Sequence, residues 1–156
     1  MTTTITVPKE YGYVVATTAF TFFLSFWHGA RAGMSRKPAQ IKAPKAFADS
    51  GDMDKAVDKQ HMQAMHMFNC KQRAHYNYLE YQPSTALAML IAGVEYPMAS
   101  TYLGIGWIVG RIIYAVGYTD ASKEDGKGRI YGYAISQPLA FVIWGLAGWS
   151  GYKLTL

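Results

Sequence analysis

The sequence predicts an all-α integral membrane protein, a bundle of four transmembrane helices that run up and down in chain order. With 156 residues, the chain has room for one domain, which we expect to cover residues 1–156. Charged residues make up 16% of the chain but are absent from 11–30 and 130–152, and 81–110 contains only Glu95. Apolar runs of about 20 residues fit a bilayer core of about 30 Å. A soluble helical bundle, the alternative, would have to bury three such runs.

The first predicted helix covers about residues 11–33, directly after Pro8. It lacks the basic start and small-residue cleavage site of a secretory signal, so we expect it to be retained. Residues 35–60 are polar and contain two prolines, which indicates a loop with room for a short helix.

The second predicted helix covers about residues 66–94, and a proline at position 97 indicates a tight connection to the third, at about 98–118. A polar loop over 119–129 precedes the fourth helix, at about 130–152. Most basic residues lie in the two long loops, so the positive-inside rule predicts that these loops face the cytosol. This placement also accounts for the net charge of +5, and we expect no nucleic-acid partner.

Polar residues interrupt the apolar pattern of the second helix. Arg73, Asn77 and Glu80 fall within an arc of about 60° on one face, and Tyr81 flanks it. An ionisable residue inside a membrane costs about 3 kcal/mol or more, so these side chains need a partner or a wet cavity. One alternative is that an arginine pairs with Glu80 only to hold the bundle together.

The third helix repeats the pattern, with Arg111, Tyr114 and Tyr118 on one face. Two polar stripes on neighbouring helices predict the walls of one site. Its chemistry suits a zwitterionic, peptide-like ligand, with arginines for carboxylates, Glu80 for an amino group and Asn77 for amides. The histidine spacing favours no metal site, and a single cysteine, Cys70, excludes an internal disulfide.

The runs FNCKQRAHYNYLEYQP, WIVGRIIYAVGY and PKEYGYVV resemble the membrane-associated proteins in eicosanoid and glutathione metabolism. Within that family the chain is most similar to the microsomal glutathione transferase 3 type. The resemblance covers nearly the whole chain. It implies a homotrimer whose glutathione sites lie between neighbouring subunits and open toward the cytosol.

The resemblance also implies roles for individual residues. Arg129 is expected to activate the glutathione thiol, with Lys127 as a rival because the loop before it is longer than in the leukotriene-synthase branch. Arg31 competes with Arg36 for the arginine at the end of the first helix, and His75 stands where that branch has glutamine. The expected glutathione-binding residues are Arg31, Arg73, His75, Asn77, Glu80, Tyr81, Arg111, Tyr114 and Tyr118.

The activity implied is that of a membrane-bound glutathione transferase, with possible glutathione peroxidase and leukotriene-synthase-like activity. Glutathione is the co-substrate, and a lipophilic electrophile or lipid hydroperoxide enters from the membrane lipids. We expect the endoplasmic reticulum, with the outer mitochondrial membrane as the alternative. A competing hypothesis is a non-catalytic lipid- or glutathione-binding scaffold, or an accessory subunit of a larger membrane assembly.

Overall fold

The computed structural model describes residues 6–120 and 126–156, and all regular secondary structure in those ranges is helical. The all-α prediction is therefore confirmed, and residues 121–125 of the predicted second long loop lie outside the described ranges. The helices are α1 (Tyr11–Ala39), α2 (Ser50–Met53), α3 (Lys59–Glu95), α4 (Pro97–Tyr118) and α5 (Arg129–Lys153).

The first helix is longer than the sequence pattern indicates, because α1 continues past Gly33 and includes Pro38 in its last turn. Its inward face continues through Ser35 and Ala39, and Ala39 packs in a core cluster with Phe68 of α3. This burial stabilises the extra turns, since helices in proteins are held mainly by packing of one face.

The second long helix, α3, begins seven residues before the predicted start at His66. The Asp58 side chain accepts a hydrogen bond from the backbone N–H of His61 at 2.7 Å, so it caps the helix at Lys59. The polar segment between α1 and α3 is correspondingly shorter than predicted and contains the short α2.

The four long helices pack around a core that includes Leu24 of α1, Tyr78 of α3, Trp107 of α4 and Ala140 of α5. Glycine allows α4 and α5 to approach closely. A Cβ atom on Gly132 would overlap the backbone nitrogen of Tyr114 and lie 2.5 Å from a carbonyl oxygen of α4. Because of this contact, the C-terminal part of α4 packs directly against the first turn of α5.

Two of the described helices, α4 and α5, are long and apolar enough to cross a membrane. Large apolar side chains also point outward from the bundle. On α1, for example, Phe23 is 71% exposed and Phe26 is 78% exposed. An apolar outer surface of this kind is expected where a protein contacts lipid or another subunit.

Candidate functional site

A polar cavity of about 260 Å³ lies between α3, α4 and the connection from α1 to α3. It brings together five of the nine residues that the sequence predicts to bind glutathione. The lining residues are Phe47, Arg73, Tyr76, Asn77, Glu80, Tyr114 and Tyr118.

A chain of hydrogen bonds connects the α3 side of the cavity wall to the buried interior of α4. The guanidinium of Arg111 donates from Nη2 to Asn77 Oδ1 at 2.9 Å, and Asn77 Nδ2 donates to Glu80 Oε2 at 3.1 Å. Asn77 is therefore held in one orientation, with its amide shared between a cation and a carboxylate. Arg111 reaches the cavity through Asn77 and is not itself one of the lining residues.

Arg111 is fully buried, at 0% exposure. Its guanidinium carbon lies 4.5 Å from the ring centroid of Tyr114 and 5.9 Å from those of Tyr78 and Tyr81. These aromatic faces stabilise a cation, but Nε and Nη1 have no hydrogen-bond partner among the residues that the structure describes. Unsatisfied buried donors of this kind are uncommon in folded proteins.

Among the described residues, Glu80 is the one carboxylate on the cavity wall, and it is exposed. Within the described ranges it forms no ion pair with Arg73 or Arg111. Arg73 is also exposed, and its guanidinium lies 5.8 Å from the ring centroid of Phe47. Both charges therefore remain available to a ligand of opposite charge.

Arg129 lies at the start of α5, next to the Tyr118 wall of the cavity. Its guanidinium is 4.8 Å from the ring centroid of Tyr118, and Nη1 donates to the carbonyl oxygen of Gly126 at 3.0 Å. Tyr118 also meets the ring of Tyr114 edge-on, with centroids 5.6 Å apart. Lys127, its rival, is exposed in the turn before α5.

The structure does not place Arg31, His75 or Tyr81 on the cavity wall. Arg31 donates to the Thr119 hydroxyl at 2.8 Å, so it connects α1 to the C-terminal end of α4. His75 packs against Gly29 of α1, and Tyr81 stacks on Trp144 with centroids 6.4 Å apart.

Arg36, the competitor of Arg31, is also engaged elsewhere. Its Nη1 donates to the carbonyl oxygen of Lys45 at 2.7 Å, and its guanidinium carbon lies 5.0 Å from the ring centroid of Phe68. It therefore fixes the connection between α1 and α3 and contributes no side chain to the cavity wall.

Sequence reasoning missed two residues of the cavity wall, Phe47 and Tyr76. Their rings meet edge-on, with centroids 5.5 Å apart and planes at 85°. Tyr76 lies three residues after Arg73 on the same helix and was within reach of the helical-face argument. Phe47 lies in a segment without periodicity, where no sequence signal connects it to α3.

The segment around Phe47 is held by charges outside the membrane spans. Lys45 forms ion pairs with Asp49, at 2.7 Å, and with Asp52. Hydrogen bonds from the Lys45 ammonium lower the pKa of both carboxyls, and the same bonds raise the pKa of Lys45. These residues are exposed or half-buried, so they add local order more than global stability.

The charges and hydrogen-bonding groups on the cavity wall suit an anionic peptide-like ligand. Within residues 6–120 and 126–156, no three His, Cys, Asp or Glu side chains are close enough to hold a metal. Among the described residues, the cavity wall combines a cation, an amide, one carboxylate and three tyrosine hydroxyls.

The family model of the membrane-associated proteins in eicosanoid and glutathione metabolism (MAPEG family) matches residues 14–149, which is most of the chain. This family is membrane-bound, and its members bind glutathione and lipophilic substrates and include glutathione transferases, peroxidases and leukotriene synthases. The resemblance seen in the helix motifs is thus confirmed at the level of the family. The two membrane-compatible helices, the helical bundle and the match over 14–149 together show that this chain belongs to the MAPEG family of membrane proteins.

Proposed function

We propose that this protein is a membrane-bound glutathione transferase, of the microsomal glutathione transferase 3 type, that also acts as a glutathione-dependent peroxidase. Its substrates are lipophilic electrophiles or lipid hydroperoxides. The observation that carries the proposal is the cavity itself, where Arg73, Asn77 and Glu80 line one wall in a chain that belongs to a glutathione-using family.

The charges on the wall match those of glutathione, which has two carboxylates, one amino group and two amide links. Arg73 pairs with a carboxylate, Glu80 accepts from the amino group, and Asn77 bonds an amide. Tyr114 and Tyr118 supply hydroxyl donors on the opposite side. We assign Arg111 a supporting role in binding, through its bond to Asn77.

Arg129 is our candidate for activating the thiol. A free thiol has a pKa of about 8.5, so only a few per cent is thiolate at neutral pH. A guanidinium beside the sulfur favours the anion, and each unit of pKa shift corresponds to about 1.4 kcal/mol. The contact between the Arg129 guanidinium and the ring of Tyr118, which lines the cavity, supports this assignment.

In the transferase reaction, the thiolate sulfur forms a bond to the electrophilic carbon. The leaving group departs with its electron pair, or, in an addition, the resulting carbanion takes a proton. In the peroxidase reaction, two glutathione molecules are oxidised to the disulfide. The hydroperoxide O–O bond breaks, and the products are one alcohol and one water.

The proposed architecture has four spans, with α1 and α3 joining α4 and α5. The mean hydropathy of α1 is reduced by inward polar residues such as Thr21 and His28, while its outward face carries phenylalanines. At 1.5 Å per residue, α3 is about 55 Å long and exceeds the bilayer core, so its first half extends beyond the membrane.

We place that protruding half and the two long loops in the cytosol. The assembly is a homotrimer, and the host membrane is the endoplasmic reticulum, with the outer mitochondrial membrane as the alternative. Exposed apolar side chains on the bundle are available both to lipid and to neighbouring subunits.

The decisive experiment is stopped-flow ultraviolet absorbance of the thiolate on mixing the purified protein with glutathione. The wild type is compared with Arg129→Ala and with Lys127→Ala, the matched control from the turn directly before α5. We expect a thiolate signal in the wild type and in Lys127→Ala, and its loss in Arg129→Ala together with most conjugation and peroxidase turnover.

A loss confined to Lys127→Ala would transfer the activating role to that residue. Glutathione binding by calorimetry without a thiolate signal in any variant would favour the non-catalytic scaffold or accessory subunit. Absence of glutathione binding to the wild type would overturn the proposed function.

A further inference from the structure

The segment 45–49, between α1 and α2, is fixed against the first half of α3 by side-chain hydrogen bonds. Asn69 accepts from the backbone N–H of Ala48 and donates to its carbonyl oxygen, both at 2.8 Å. Gln72 donates to the carbonyl oxygen of Ala46 at 2.8 Å. The residues on both sides of Phe47 are therefore attached to α3.

Phe47 is the residue of this segment that lines the cavity. Its ring meets Tyr76 edge-on and lies 5.8 Å from the guanidinium carbon of Arg73. The two aromatic rings and the arginine side chain thus form one contact group on the cavity wall.

Arg73 needs such a neighbour because its side chain is otherwise unrestrained. It is exposed, and within the described residues it forms neither an ion pair nor a side-chain hydrogen bond. A long, exposed arginine loses rotamer freedom when it binds a carboxylate. An aromatic face that already attracts the guanidinium reduces that loss and favours binding.

We propose that Phe47 is a positioning residue that holds Arg73 toward the cavity for recognition of a ligand carboxylate. The inference rests on the proposed function, in which that carboxylate belongs to glutathione. Asn69 and Gln72 take part indirectly, since they fix the backbone from which Phe47 extends.

The test is a double-mutant cycle that measures the affinity for S-hexylglutathione by calorimetry in the purified full chain. The variants are Phe47→Leu, Arg73→Gln and the double variant, with Phe47→Tyr as the conservative replacement. Phe26→Leu on α1 is the matched control, because Phe26 is exposed and lies outside the cavity wall.

We expect Phe47→Leu to weaken binding about fivefold, and Phe47→Tyr and Phe26→Leu to change it less than twofold. In the Arg73→Gln background, Phe47→Leu should have no further effect, because the residue it positions is gone. A purely structural role for Phe47 would not produce this dependence on Arg73.

An equal loss on Phe47→Leu in both backgrounds, or no loss in either, would overturn the inference while leaving the proposed function intact. Binding that is absent in the wild type would overturn the proposed function and the inference with it. If Phe47→Leu lowers the melting temperature, Phe47→Met gives a second cycle with an unbranched side chain that also lacks the ring.

Discussion

Arg111 and Asn77 form the one hydrogen bond that links the buried interior of α4 to the cavity wall on α3, within the described residues. The bond joins a guanidinium of 0% exposure to an amide on the cavity wall. Burial of a cation without a carboxylate partner is unfavourable for folding. An arrangement that is costly for folding yet orients a polar group beside a cavity is typical of a functional site.

Replacing Arg111 with Met should therefore weaken glutathione binding while it leaves the thermal stability of the protein nearly unchanged. Met fills a comparable apolar volume and removes the unpaired Nε and Nη1 donors, so the apparent melting temperature should stay within a few degrees of the wild type. Glutathione affinity should fall by up to about tenfold, because Asn77 is no longer oriented for its hydrogen bond to the ligand, and such a bond contributes about 0.5–1.5 kcal/mol. Thermal unfolding in detergent and calorimetric titration measure the two effects.

The control for Arg111→Met is Asn77→Ala, which removes the same bond from the cavity side. The two variants should lose similar affinity, and the double variant should lose little more than either one. Fully additive losses would show that Arg111 acts independently of Asn77.

Tyr118 should matter mainly through its ring. The ring supports the Arg129 guanidinium at 4.8 Å, and a cation–π contact of this kind is worth about 0.5–1 kcal/mol. We expect Tyr118→Leu to lower conjugation turnover about three- to fivefold and Tyr118→Phe to lower it less. Steady-state kinetics with a lipophilic electrophile measure both, and a larger loss in the Phe variant would assign the effect to the hydroxyl instead.

The architecture was largely predictable because its signals are local. Charge-free stretches and a proline at position 97 indicated the helices, but the proline rule failed at Pro38, which lies inside the last turn of α1. Burial of Ala39 against α3 stabilises that turn, and such a tertiary contact leaves no mark on local sequence. The start of α3 could have been predicted from Asp58, because aspartate is a common N-cap residue. Its side chain accepts a hydrogen bond from the backbone N–H of His61.

The cavity was predictable where helical spacing decides the face, as for Arg73, Asn77 and Glu80. Helical spacing does not indicate how deeply a side chain is buried, so the sequence predicted the same ligand-binding role for Arg111 and Tyr114. In the structure Tyr114 lines the cavity, whereas Arg111 reaches it only through Asn77. The place of Phe47 in the cavity wall could not be predicted from periodicity, because its segment is irregular. That segment is held by side-chain hydrogen bonds to α3, which is distant in sequence.

The segment that carries Phe47 should lose its order in acid. The pKa values of Asp49 and Asp52 are lowered by Lys45, so their contribution is full above the unfolded aspartate value of about 4 and is lost as pH falls through the lowered values. The pKa of Lys45 is raised, so its contribution is full below about pH 10.4 and is lost as pH rises through the raised value.

Hydrogen exchange of the peptide covering residues 45–53 checks this expectation. Protection, corrected for intrinsic exchange rates, should be lower at pH 3 than at pH 7, because the Asp49 N–H donates to the Asp52 carboxylate at 2.9 Å. Lys45→Met should reduce protection already at pH 7. Protection that is equal at both pH values would show that Asn69 and Gln72 fix the segment without help from the ion pairs.

The close approach of α4 and α5 predicts that a side chain at Gly132 lowers the stability of the bundle. A Cβ atom at Gly132 would overlap the backbone nitrogen of Tyr114, and backbone has no flexible end that can move aside. Gly132→Ala should therefore separate the two helices, at a cost of about 1–3 kcal/mol.

Gly145→Ala is the matched control on the same helix, because nothing lies within 4 Å of its added Cβ. We expect the apparent melting temperature in detergent to fall by several degrees for Gly132→Ala and to stay unchanged or rise slightly for Gly145→Ala. Since Tyr114 lines the cavity, glutathione affinity should fall in the same variant at temperatures where it remains folded. Equal melting temperatures for the two variants would mean that the helices do not meet at Gly132.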